Sequence, residues 1–185
     1  FRMGDDAIQG YEIGPLNMKN FAVSVLMALI SSAAFAVDQG DVAPAWSGTD
    51  LISGETVEFP AVLDGKPAVI LFWATWCPYC KAFMPRAAEI QAEYADRGVQ
   101  IISLNHKERG YGDAAAYAKS LGFPMIAIGD ADPIGDAWRI DFIPGLLVVD
   151  GDGTVAYRRR STNLPAGKKI SEIWAGEVRA VLDAL

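Results

Sequence analysis

Residues 68–80 read Ala-Val-Ile-Leu-Phe-Trp-Ala-Thr-Trp-Cys-Pro-Tyr-Cys, and this stretch decides the fold. Ala68 to Trp73 is a continuous apolar run rich in β-branched and aromatic residues, the pattern of a central strand buried on both faces. The Asp64-Gly65-Lys66-Pro67 turn launches it. Beyond Cys80, Phe83, Ala87, Ile90 and Tyr94 recur at helical spacing up to Arg97, and Gly98 stops the helix. Cys77 and Cys80, both cysteines of the chain, therefore stand where a buried strand gives way to a helix.

Working outward, Val99 to Leu104 reads as a second buried strand, Asp113 to Leu121 as a short helix and Met125 to Ile128 as a third strand. Gly145 to Asp150 and Thr154 to Arg158 form a hairpin across Asp150-Gly151-Asp152-Gly153. Ile170, Ile173, Trp174, Val178, Val181, Leu182 and Leu185 define a closing helix. On the N-terminal side, Leu51-Ile52 and Glu55 to Phe59 predict a small hairpin turning at Ser53-Gly54, and residues 37–50 a polar linker. The order predicts an α/β fold with a central mixed β-sheet flanked by helices: parallel where helices cross over, antiparallel at the hairpin.

Residues 21–36, FAVSVLMALISSAAFA, form an uncharged run following Met18-Lys19-Asn20 and ending in Ala34-Phe35-Ala36. The run falls short of the roughly 20 residues of a membrane span. Its flanks predict a secretory signal peptide over 18–36, with residues 1–17 as leader and 51–185 as the folded domain. A retained membrane anchor is the alternative. Export places the cysteines in an oxidising compartment, the bacterial periplasm or its equivalent, where a disulfide persists.

The chain has 185 residues, 51% hydrophobic and 21% charged, with a net charge of −7. That composition supports a packed core and excludes disorder or coiled coil as the main organisation. The acidic surface argues against nucleic acid as a partner. One histidine and two cysteines cannot furnish a four-ligand zinc site from Cys and His alone.

At a helix N-terminus, unpaired backbone N–H groups and the positive end of the helix dipole favour thiolate over thiol. Cys77 is thus the attacking sulfur, and Cys80, one turn on, the resolving one. A structural disulfide over so short a loop removes little chain entropy. A Cu(I)-binding or redox-sensing pair is a further alternative. His106, after the second strand, reads as an exposed loop histidine, and Arg158-Arg159-Arg160 as a solvated hairpin end. Trp46, Trp138 and Trp174 read as core, and Trp76 as a shield of the thiolate face.

FWATWCPYC, with Pro85 eight residues after Cys77, resembles the thioredoxin superfamily, and within it the exported TlpA/ResA/CcmG branch. The likeness extends from about Pro44 to Leu185 through Gly122-Phe123-Pro124 and Phe142-Ile143-Pro144. It implies a thioredoxin-like fold with an N-terminal β-hairpin. It also implies a thiol–disulfide oxidoreductase, chiefly a reductase of periplasmic proteins, with disulfide-forming oxidase or isomerase as the alternative. Pro144 then takes the place of a cis proline packed beside the active site. Ile143 offers its backbone to a peptide, and Trp76, Pro78 and Tyr79 complete the substrate surface. No cofactor is implied beyond the Cys77–Cys80 disulfide. The implied partners are protein thiols or disulfides and a membrane electron donor, with the chain acting as a monomer. Two family carboxylates are replaced, one by Leu71 and one by Phe83. Proton handling at Cys80 then falls to water, backbone or another residue, and no nearby carboxylate is expected to oppose the Cys77 thiolate.

Overall fold

The computed structural model describes residues 36–160 and 166–185. Most of the expected leader and signal segments, residues 1–35, lie outside the described residues. Among the described residues, seven strands and four α-helices follow in chain order: β1 (Trp46–Thr49), β2 (Thr56–Phe59), β3 (Ala68–Trp73), α1 (Pro78–Glu93), β4 (Gln100–Asn105), α2 (Ala114–Ser120), β5 (Ile126–Ile128), α3 (Asp132–Ala137), β6 (Gly145–Val149), β7 (Val155–Arg158) and α4 (Ile170–Ala184). The main sheet runs β5-β4-β3-β6-β7. β3, β4 and β5 run parallel to one another, whereas β6 is antiparallel to both β3 and β7. This is the mixed sheet expected from the sequence.

β3 is central, and all six of its residues are buried. Its side chains alternate between two cores, as the pleat requires. Val69, Leu71 and Trp73 join Phe83 of α1 and Trp174 and Val178 of α4. Ala68, Ile70 and Phe72 join Leu63, Ile134 and Trp138 on the opposite face. α1 continues through Pro85, which has no N–H to return to the preceding turn. Gly98 then ends the following 3-10 turn at φ 69°.

The N-terminal hairpin forms, but earlier than its turn residues indicate. β1 is Trp46–Thr49 and not Leu51-Ile52, with Thr49 opposite Thr56. The connection is organised by Asp50, whose carboxylate accepts from Ser53 N and Oγ (3.0 and 2.7 Å) and, across to β5, from Ala127 N (2.9 Å). An apolar pair flanking Ser-Gly has the pattern of a strand, but the buried carboxylate ties that segment to the sheet edge. The expected linker over 37–50 is also built into the fold. Val37 and Ala43 are buried, Gly40 N donates to Val155 O, and Trp138 Nε1 donates to Pro44 O. Trp46 stacks on Phe59, which meets Trp138 edge-on, so an aromatic series joins the hairpin to the main core. α3 has no signature in the sequence, because six residues containing Pro133 and Gly135 are too few to show helical periodicity.

Candidate active site

Three segments meet at one end of the central strands. Trp73 pairs with Asn105 and Phe72 with Gly145, so the exits of β3 and β4 lie beside the start of β6. The motif, the loop after β4 and the segment 140–144 are brought together by that register.

The motif is delivered by a tight turn in which Cys77 N donates to Ala74 O at 3.1 Å. Cys77 is the N-cap of α1, and Pro78 occupies the first turn, where its missing N–H is not needed. Cys77 Sγ accepts from Cys80 N at 3.2 Å, so sulfur takes the place of a capping oxygen. No acidic residue lies in the first turn to oppose the helix terminus. Cys77 and Cys80 form a disulfide with Cα atoms 5.3 Å apart. Cys80 is 0% and Cys77 2% exposed. Around them Trp76 is half-buried and Tyr79 is 59% exposed. The Ile143–Pro144 bond is cis, and Ile143 packs against both cores at the start of β6.

Two readings of basic residues are overturned. His106 is 1% exposed, not a solvated loop residue. Its N–H continues the ladder to Trp73 O, which turns the ring inward against Phe72. There Nδ1 meets Asp132 Oδ1 at 2.9 Å and Nε2 meets Ile140 O at 3.3 Å. Lys107 Nζ donates to Ile140 O and Asp141 O at 3.0 and 2.8 Å, so two consecutive side chains clamp the 140–144 segment.

The arginine run is likewise not a solvated end. Arg158 Nη1 donates to Trp138 O and Nη2 to Arg139 O at 3.0 and 2.6 Å, and Nη1 also reaches Val37 O. Arg159 is 3% exposed, with its guanidinium 4.5 Å from the Trp174 ring and 4.7 Å from Phe142. It also donates to Pro144 O. Only Arg160 is exposed, paired with Asp38.

A carboxylate does stand beside the motif, contrary to expectation. Leu71 and Phe83 are fully buried and apolar. Glu108, from the loop after β4, instead accepts from Thr75 N (2.8 Å), Thr75 Oγ1 (2.7 Å) and Asn105 Nδ2 (3.0 Å). Burial pushes its pKa up, but hydrogen bonds from the Thr75 backbone, Asn105, the Thr75 hydroxyl and the Arg109 backbone outweigh this and hold it below the usual value. Next to it, Trp76 Nε1 donates to Lys107 O at 2.8 Å, and the Arg109 guanidinium lies 3.8 Å over the Trp76 ring. The readable signal for this cluster was the parallel pairing of two six-residue strands, which sets the segments beyond them side by side. Among the described residues, no group of three or more His, Cys, Asp or Glu side chains is placed to hold a metal ion.

The AhpC/TSA family model matches residues 39–158. The chain belongs to the AhpC/TSA family. Relatives of this AhpC/TSA protein include the thiol:disulfide interchange protein DsbE of Tatumella citrea, 30% identical over 128 residues, covering 68% of this chain and 63% of that protein. The thiol-disulfide oxidoreductase ResA of Bacillus cereus is 30% identical over 148 residues, covering 73% and 83% of the two chains. The chain thus spans slightly less than two thirds of the DsbE proteins of Tatumella citrea and Yersinia pestis. In structure it is similar to a secreted Mycobacterium tuberculosis disulfide oxidoreductase homologous to Escherichia coli DsbE, at a TM-score of 0.52 and 25% identity, covering 73% of this chain and 95% of that one. A conserved protein from Geobacillus kaustophilus shares the fold at a TM-score of 0.68 and 23% identity, covering 80% and 82%. The fold of this AhpC/TSA family member is thioredoxin-like.

Proposed function

We propose that this protein is an exported thiol–disulfide oxidoreductase that reduces disulfides of protein substrates in the periplasm through Cys77 and Cys80. The observation that carries the reading is a disulfide whose first sulfur caps a helix while its second is fully buried. In the reduced protein the Cys77 thiolate attacks one sulfur of a substrate disulfide. A Cys77–substrate mixed disulfide forms, and the other substrate sulfur leaves as thiolate and takes a proton from solvent. Cys80 then loses its proton and attacks Cys77 Sγ, releasing the second substrate thiolate and closing Cys77–Cys80. Two electrons pass from the protein to the substrate. The two sulfurs carry them, so the reaction needs no cofactor.

Trp76, Pro78, Tyr79, the Ile143 backbone and Pro144 form the face on which the substrate chain lies. A membrane electron donor returns the disulfide to the dithiol. Support for the reducing direction and for export comes from the resemblance to the TlpA/ResA/CcmG branch and from the 18–36 segment. Insulin reduction with a small dithiol as donor tests the reading. Turnover that is lost in Cys77→Ser is expected. A protein that binds Cu(I) but does not turn over insulin refutes it, and a pair far more oxidising than glutathione refutes the direction.

A further inference from the structure

We propose that Glu108 is the positioning residue of the attacking sulfur: its carboxylate clasps the turn that delivers Cys77 and sets the negative charge that this sulfur faces. The proposal rests on the exchange reading above and deepens it, because it bears on the direction of electron flow.

The clasp is specific in geometry. Ala74 to Cys77 is a four-residue turn closed by Cys77 N to Ala74 O, and Thr75 is its second residue. Glu108 takes both the N–H and the hydroxyl of Thr75, one with each carboxylate oxygen, and adds Asn105 Nδ2. Thr75 and Asn105 are buried polar residues, so loss of Glu108 strands donors that water reaches poorly. The adjoining residues of the same loop hold Trp76, through the Lys107 carbonyl and the Arg109 guanidinium. The loop comes close enough only because residue 112 is glycine, since a Cβ there would lie 2.1 Å from Thr75 Oγ1. Consecutive Cα atoms are about 3.8 Å apart, so the clasped residue and Cys77 are separated by at most about 7 Å of backbone.

The electrostatic consequence follows from the same contacts. The donors on the carboxylate hold its pKa below the usual value, so at neutral pH it stands at the turn as a negative charge. Other charges nearby are engaged elsewhere or exposed. The Lys107 ammonium lies on the Ile140 and Asp141 carbonyls, and Asp132 accepts from Lys107 N and faces His106. Lys81 lies over Tyr117, and Arg109 over Trp76. A fixed anion at the turn opposes the helix terminus, disfavours the Cys77 thiolate and so favours disulfide over dithiol. A pair tilted that way donates electrons more readily.

The test measures two equilibrium properties in the whole protein: the Cys77 thiolate absorbance titration, and the dithiol–disulfide constant against glutathione. Glu108→Gln keeps the shape and an accepting oxygen but removes the charge. It is expected to lower the Cys77 pKa by about 0.5–1 unit. At a pH above the Cys77 pKa the redox equilibrium is expected to move roughly three- to tenfold toward dithiol, and by less as the pH falls below it. Asn105→Ala, which removes a clasp contact and leaves the charge, is expected to lower the melting temperature without moving the pKa. An unmoved pKa in Glu108→Gln, or equal shifts in the two variants, overturns the proposal. Neither readout uses a protein substrate, so failure of wild type to reduce insulin would refute the proposed function and leave this test standing.

Discussion

Replacing Arg159 by methionine tests whether the second arginine of the 158–160 run holds the Pro144 segment. The guanidinium is buried between Trp174 and Phe142 and donates to Pro144 O. Each desolvated cation–aromatic contact contributes about 0.5–2 kcal/mol. A hydrogen bond from a charged donor contributes about 1.5–3 kcal/mol. Against these stands desolvation, which also holds the Arg159 pKa below its usual value. Methionine fills the volume and recovers part of the apolar contact. The net loss is therefore about 2–4 kcal/mol. For a chain of this size that corresponds to a fall in Tm of about 5–12 °C. Because the bond ends on the residue before β6, the KM for a protein disulfide is expected to rise several-fold while the Cys77 pKa stays in place. Arg159→Lys keeps the charge but not the planar fork, and is expected to recover less than half of the loss. Thermal melts and insulin-reduction kinetics decide it. A Tm within about 2 °C of wild type, or a loss confined to kcat, refutes the reasoning.

Asp50→Asn is expected to cost about 1–3 kcal/mol at pH 7. Burial raises the Asp50 pKa, but hydrogen bonds from Ser53, Ala127 and Ile52 bring it below 3.8. Its contribution is present above that value and fades as the pH falls through the lowered folded pKa. Urea melts at pH 7 and pH 3 should show the gap between variant and wild type narrowing, and an equal gap at both would contradict the assignment. Reduced wild type is expected to titrate with a Cys77 pKa below the free-thiol value of about 8.5, with Cys80 higher. Phe83→Glu should raise the Cys77 pKa and speed resolution by Cys80, at a packing cost of about 3–5 kcal/mol beside Trp174. A Cys77 pKa that does not move in that variant contradicts the placement of Phe83 near the sulfurs.

The main sheet was legible because its strands declare themselves. Six apolar residues in a row at Ala68–Trp73 leave little alternative to a doubly buried strand, and Asp-Gly pairs mark the β6–β7 hairpin. The position of the cysteines followed from the same reading. What escaped were contacts between segments distant in sequence. His106 and Arg159 carry polar side chains that ordinarily face water, and nothing local announces a carboxylate, a carbonyl or an aromatic ring waiting 15 or more residues away. Glu108 escaped for a related reason. The resemblance directs attention to Leu71 and Phe83 as the places for an acid, whereas here Glu108 reaches the motif from the loop after β4. Asp50 shows the same limit on a smaller scale, since its bond to Ala127 fixes where β1 ends.

The most direct test of the central claim is mixed-disulfide trapping with the two single-cysteine variants. Cys80→Ser, which keeps the helix-capping sulfur and removes the buried one, is predicted to accumulate covalent adducts with protein substrates that a reductant releases. Cys77→Ser is predicted to accumulate none. Equal trapping by both, or trapping by Cys77→Ser alone, would contradict the account.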